Sequence, residues 1–215
     1  PPSRRPARGL LLPQQVCEEH IMPTIYRDAQ LALVGTNGGV WVAPLGTAQP
    51  QDPQAQPPAP WLAIGAISQD GLTNGVEEDT EQFTPWGLTS PFRTVVTSSV
   101  RTFSFTAWEI NRPIVRALQN RLDVSDLTPG MDGVITFAES GTAEPDRRTW
   151  LIDVYDGEVW ERFYIPEGEI TGRGEVTFQQ GEMVGYEWTI STYPDSAGNL
   201  VYHSYYAPEV EDHSS

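Results

Sequence analysis

Few residues in this sequence could do chemistry, and their spacing argues against each reaction in turn. The histidines are His20, His203 and His213. The first falls in an N-terminal extension, the last in the C-terminal tail, and His203 stands alone in a strand-like run with no ligand spacing. Glu77, Glu78, Asp79 and Glu81 place four carboxylates within five residues. Calcium would need them in an Asp-x-Asp-x-Asp-Gly pattern that folds oxygens around one ion, and that pattern is missing. Glu167 and Glu169 read as strand-end charges, and residues 145–148 and 172–174 as short basic turns. Two carboxylates on a sheet can serve a glycosidase, but only at a separation that sequence does not supply. Without a nucleophile beside a base, a metal cluster or a cofactor motif, the expectation is a protein that is not an enzyme and takes no cofactor or metal.

Charge and composition narrow the partners. The chain has 215 residues, with 13 basic against 29 acidic ones, for a net charge of -16. Tight binding to a phosphate backbone needs the opposite sign. Solubility is the plain reading of this acidity, and a surface that repels nucleic acid is the functional one. With Cys17 as the single cysteine, no internal disulfide can form. No apolar run approaches the roughly 18 residues that span a bilayer, and Gly9-Leu10-Leu11-Leu12 is too short for a signal-peptide core, so no membrane partner is expected. A chain of this length suits one β domain burying roughly 70% of its unfolded surface.

The elements that must position these residues read as follows. Residues 1–21 are rich in Pro and Arg and lack periodicity, so they are expected to be a disordered extension, with Met22 as a natural start. Removing them takes away three arginines and two glutamates, moving the net charge from -16 to -17. The main β domain is expected over 22–207, followed by a frayed acidic tail at 208–215. Gln30 to Val34 and Val40 to Ala43 flank Gly35-Thr36-Asn37-Gly38-Gly39 and read as a hairpin. Residues 44–60 are a Pro-rich connector, expected to be extended and exposed. Residues 61–67 read as one buried strand in which Gly65 permits a close backbone approach, and Gly71 to Gly75 as a turn. An acidic loop is expected at 74–91, too charged for any core. It ends at Pro85-Trp86-Gly87, where Trp86 is either covered by its own fold or an anchor on a neighbouring subunit.

Alternation from Val100 to Trp108 places Phe103, Phe105 and Ala107 on a buried face and Thr102, Ser104 and Thr106 on a wet one. A short helix follows, with Asn111 as N-cap, Pro113 in its first turn, and Ile114, Val115, Leu118 and Leu122 along one side. The rest reads as a β-meander. Asp156-Gly157 is its strongest turn signal, then come strands at Glu175 to Gln180, Met183 to Thr192 and Leu200 to Tyr206. The fold class is therefore mainly β: an antiparallel β-sandwich or open barrel with one α-helix.

The order of glycine turn, acidic stretch, Pro85-Trp86-Gly87, β-branched strand and Glu109-Ile110-Asn111 leading into the helix resembles the major tail protein of long, non-contractile-tailed bacteriophages. The Ala43-Pro44-Leu45-Gly46-Thr47 segment adds to the likeness, which covers most of Met22 to Tyr206. The resemblance implies a structural virion protein of the tail, assembled in the host cytoplasm into hexameric rings. These stack into a tail tube, a negatively charged conduit for DNA ejection. It implies contacts with the tape-measure, tail terminator and distal tail proteins, with DNA passing through unbound. The matching acidic region is used in stacking by resemblance. Glu77, Glu78, Asp79, Glu81 and Trp86 are thus candidates for subunit stacking or for the lumen, against the plainer reading of a solvated loop. The alternatives are another tail component, or a monomeric β-sandwich binding module, immunoglobulin-like or carbohydrate-binding, with Trp41, Trp160 or Tyr205 as its platform.

Overall fold

A computed structural model describes residues 32–52, 55–142 and 144–206. Residues 1–21, the tail at 208–215, Cys17, His20 and His213 lie outside the described residues. The strands are β1 (Asn37–Pro44), β2 (Leu62–Ala63), β3 (Ile67–Phe83), β4 (Arg93–Ala107), β5 (Arg147–Asp156), β6 (Val159–Arg173), β7 (Tyr186–Tyr193) and β8 (Tyr202–Tyr206). One helix, α1 (Pro113–Asn120), and a 3₁₀ turn at Val124–Asp126 follow β4.

These strands form one antiparallel sheet in the order β2-β1-β5-β6-β7-β4-β3, with β8 also paired to β6. The sheet is not closed into a barrel, yet it curls strongly. Only Ile64-Gly65-Ala66 separate β2, at one end of the sheet, from β3 at the other. Three residues reach roughly 10 Å at most, so the two ends must lie close. The Ile64 N–H donates to the Val40 carbonyl and the Trp108 N–H to the Ala66 carbonyl, each at 2.9 Å. Gly65 makes this link possible. Its φ is +92°, and a Cβ there would overlap the Glu109 carboxylate, which accepts the Ala66 N–H at 2.8 Å.

The curl encloses one core. Val40 and Val42 of β1 pack in the same cluster as Phe103 and Phe105 of β4, and Phe103 meets Phe163 of β6 at 5.4 Å between ring centres. Trp188 and Trp150 are almost wholly buried, and each ring N–H finds an acceptor: Gln119 Oε1 at 2.7 Å and the Gly168 carbonyl at 3.2 Å. Cutting either ring back to Ala removes both packing and volume, a loss of about 3–5 kcal/mol. The alternation expected for β7 holds, with Tyr186, Trp188 and Ile190 buried on one face.

Helix α1 closes the core with Ile114, Val115, Ala117 and Leu118. Its N-cap is Arg112, not Asn111, and no side chain caps it; Pro113 begins the helix and needs no N–H partner. The helix ends where Arg121 turns left-handed at φ 54° and the Leu122 N–H returns to the Ala117 carbonyl at 2.9 Å. Leu122 is only partly buried.

Several expected elements differ. Residues 32–36 form no strand, residues 30 and 31 lie outside the described residues, and Gly38 and Gly39 lie inside β1. Their role is close approach: a Cβ on Gly38 would sit 2.7 Å from the Asp153 carbonyl oxygen, and one on Gly39 would enter the Trp41 ring. Residues 61–67 break at Gly65 and do not form one strand, whereas residues 71–75 continue β3 through a bulge at Gly71, whose φ is +75°. Gly172 and Arg173 extend β6, and residues 175–180 form no strand. The turn after β5 is Gly157-Glu158, one residue later than expected. Asp156 pairs with Val159, and only Gly157 has positive φ, as a type II′ turn requires. The last strand leaves the meander, since β8 pairs with Trp160–Tyr164 of β6.

Candidate assembly surface

Three surfaces of the sheet differ in what covers them. The first is the outward face of β1, β5 and the first half of β6. Ala43, Trp61 and Leu151 are buried there with Trp41 and Tyr164 packed against them. Asp153 and Arg162 oppose each other across β5 and β6. Arg162 Nε and one terminal nitrogen donate to the two Asp153 oxygens, each at 2.6 Å, and both residues are at most 2% exposed. Tyr155 donates to the same carboxylate at 3.1 Å. Burial opposes the Arg162 charge, but the hydrogen bonds and charge of Asp153 outweigh it and raise its pKa. Burial, reinforced by Asp153, also pushes the Tyr155 phenol up.

The Pro-rich segment lies over this face. Tyr164 donates to the Thr47 carbonyl at 2.8 Å, Arg162 to the Asp52 carbonyl at 3.1 Å and Gln49 to Ser204 at 3.4 Å, while Pro57 is buried. Most of its described residues are exposed, as expected, but these few points of attachment make the segment a strap. Proline suits it because φ is already restricted and little entropy is lost on ordering. Trp160 is buried and Trp41 half-buried, and of the three proposed rings only Tyr205 is exposed.

The second surface, the outward face of the latter half of β6 with β7 and β4, is bare. It is built from hydroxyls: Ser104 bonds Thr189 at 3.0 Å and Thr171 bonds Ser191 at 2.6 Å. At its end Arg147 pairs with Glu167 at 2.5 Å and lies 4.1 Å over the Tyr193 ring. The pairing with Glu167 raises the Arg147 pKa against the cost of desolvation.

The third is an arm. β3 and β4 stay paired from Leu72 and Phe105 out to Phe83 and Arg93, but β4 has β7 as a second partner only over Thr102–Ala107. Past that point the two strands run alone for eight residues of β3, Val76 to Phe83, or roughly 26 Å. Registry assigns their faces. Leu72 and Asn74 pair with the buried Phe105 and Phe103, so Val76 and Glu78 continue the core side. Glu77, Asp79 and Glu81 continue the bare hydroxyl side. The bulge between Asp79 and Thr80 leaves Thr97 of β4 unpaired, so the alternation along β3 is unbroken. Ser98 donates to Asp79 at 3.3 Å and Ser99 to Glu78 at 3.2 Å. No arginine pairs with these four carboxylates among the described residues.

At the tip, the Leu88 N–H returns to the Pro85 carbonyl at 3.2 Å, with Gly87 at φ +90°. That geometry is a type II turn, and it presents Trp86 at 104% relative exposure beside Phe92 at 80%. Leu88, Val76 and Val96 are also more than half exposed.

The remaining chemical candidates have ordinary partners. His203 lies on β8, 3.3 Å from Glu161 and edge-on to Phe163, and no group of three or more metal-binding side chains occurs among the described residues. Sequence reading missed the Asp153–Arg162 pair. Counted from the observed Gly157-Glu158 turn the two residues fall opposite each other, whereas the expected Asp156-Gly157 turn would set Asp153 opposite Trp160.

A projecting β-arm on a sheet whose edges remain open, with no reactive cluster among the described residues, is the build of an assembly subunit. The family model described as "Phage tail tube protein" matches residues 26–205, so the chain belongs to the phage tail tube proteins. It is a structural protein of the virion tail and not an enzyme, and its family implies oligomeric assembly with other tail components. Comparison with curated proteins found no match.

Proposed function

We propose that this chain assembles into rings, hexameric by family likeness, that stack into a tube through which DNA leaves the virion. The observation that carries the reading is the arm. A two-stranded hairpin with neither face packed is marginal in water by itself, and a tryptophan with its neighbouring Phe and Leu at a tip is a surface awaiting a partner. β3 ends the sheet, so its outer edge is free along 17 residues among the described elements. Pairing of that edge with a neighbour would close the ring and protect an edge that otherwise invites aggregation. Stacking by a different surface is heterologous and does not close, which produces a filament.

In this reading the bare hydroxyl face, extended by Glu77, Asp79 and Glu81, lines the bore, and Glu78 and Trp86 meet neighbouring subunits. A net charge of -16 lets a phosphate chain slide past without sticking. Tape-measure, tail terminator and distal tail proteins are the partners, and assembly takes place in the host cytoplasm. Electron microscopy and sizing of the purified protein test this: rings or tubes support it, and a persistent monomer under all assembly conditions overturns it.

A further inference from the structure

We propose that the tip of the arm seats in a specific cup on the next copy of the chain: the cavity between the start of α1 and the segment after the 3₁₀ turn. The proposal rests on the tube reading above and deepens it by naming the receiving surface. The cup has a volume of 340 Å³ and is lined by Pro113, Leu127, Ile135 and Phe137, with Asn111 and Arg116 at its polar side. That is near the small end of the roughly 300–1,000 Å³ of ligand pockets, a fit for one large side chain. Its apolar wall is uncovered: Ile135 and Phe137 are 40% and 37% exposed, and neighbouring Met131 and Val134 are more exposed still. Each of the two surfaces alone leaves apolar area in water.

Charge selects this cavity over the others. The arm carries four carboxylates from Glu77 to Glu81 against one arginine, Arg93, before Ser99. The cleft between β1 and β3 carries Asp70 and Asp153, the cavity past the end of α1 carries five carboxylates against three arginines, and two further cavities carry Glu109, already paired with Arg112, and Glu158. The cup is lined by no carboxylate. It presents Arg116 instead, which bonds only the neutral Asn111 Oδ1, at 3.0 Å, and has no carboxylate partner among the described residues. In a chain of net charge -16, like-charge contacts are the main obstacle to self-association, and a carboxylate-free cup beside an unpaired arginine is where an acidic arm is repelled least. Because tip and cup are different surfaces of one chain, the contact is head-to-tail and propagates.

The test uses the full chain with Cys17→Ser, Ser90→Cys at the tip and Val134→Cys beside the cup, treated after assembly with a short bismaleimide. Trp86 is kept. A ladder of covalent oligomers on a denaturing gel, absent from both single-cysteine chains, is the expected result. Tubes visible by electron microscopy without a ladder overturn the cup and leave the tube reading standing. A chain that assembles into no ring or tube even without the substitutions overturns the tube reading and the cup with it. In parallel, Arg116→Glu places a carboxylate in the cup and should raise the concentration for half-assembly by about tenfold. An unchanged concentration in a normally folded Arg116→Glu chain also overturns the proposal.

Discussion

The strapped face and the arm are built from similar materials and finished in opposite ways. Each presents tryptophan, prolines and carboxylates. On the strapped face Trp61 is buried, Asp153 has its arginine, and the Pro-rich strap is tied down by Tyr164 and Arg162. On the arm Trp86 is bare, four carboxylates have no arginine among the described residues, and Pro85 and Pro91 flank the tip. Both cannot be accidents of solubility, since one chain applies each solution in the appropriate place. The difference teaches that the strapped face is completed within the chain whereas the arm is not, which is what the proposed assembly asks of it.

The comparison breaks most violently at the buried pair. Asp153→Ala leaves Arg162 charged and fully buried without a carboxylate partner among the described residues, held by the Asp52 carbonyl and the Tyr155 hydroxyl. Leaving such a charge unpaired should cost about 3–5 kcal/mol, read as a fall in the urea midpoint with unchanged slope. A loss under about 1 kcal/mol would mean that the strap opens to let water in, and that the face is less finished than its geometry suggests.

The mirror experiment is Trp86→Ala. Trp86 is fully exposed among the described residues, so folding stability should change by no more than about 0.5 kcal/mol. Assembly should fail: an anchor worth about 2 kcal/mol is lost at every contact. Circular dichroism, melting and electron microscopy read the two effects separately. Normal tubes would remove Trp86 from the interface, and an unfolded monomer would return it to the core.

A gentler change tests the faces of the arm. Glu77→Gln with Asp79→Asn and Glu81→Gln strips one face of charge and should leave folding and tubes intact while slowing DNA ejection. Glu78→Gln, on the opposite face, should leave ejection unaltered. Equal effects from both would show that the bore does not distinguish the faces.

Legibility followed the same division. The fold class, the helix and the alternation of β7 were readable because one buried face imposes a period on residues such as Tyr186, Trp188 and Ile190. The arm was readable as a place too charged to be core, but not as a ribbon, since Glu77 to Glu81 have poor strand propensity and are held by pairing with Val95 to Val100 of the next strand. The strap was hidden for a related reason. Pro-rich composition predicts extension, which is correct locally, and carries no information about the Tyr164 and Arg162 side chains that hold it down. Gly38 and Gly39 misled because glycine serves turns and close approaches alike.

The smallest effect concerns the link joining the two regions. Glu109 holds Ile64-Gly65-Ala66 against the start of α1: its carboxylate accepts the Ala66 N–H and pairs with Arg112. The backbone hydrogen bond from Ala66, then the one from Arg112, lower its pKa from the ordinary 4.5. A carboxyl whose folded pKa lies below its unfolded value contributes stability that is complete above the unfolded value and is lost as pH falls through the folded one. The contribution of Glu109 should therefore be full at neutral pH and fade only below pH 4.5. Because the group is well exposed, solvent screens the pair and the effect is small. Glu109→Gln keeps the shape and removes the charge, so its stability should fall slightly at pH 7 and converge with the parent chain in acid. Acid titrations of both chains followed by tryptophan fluorescence decide the matter. Curves that stay parallel to low pH would show that the link is held by backbone contacts alone, and that the two regions are joined without electrostatic help.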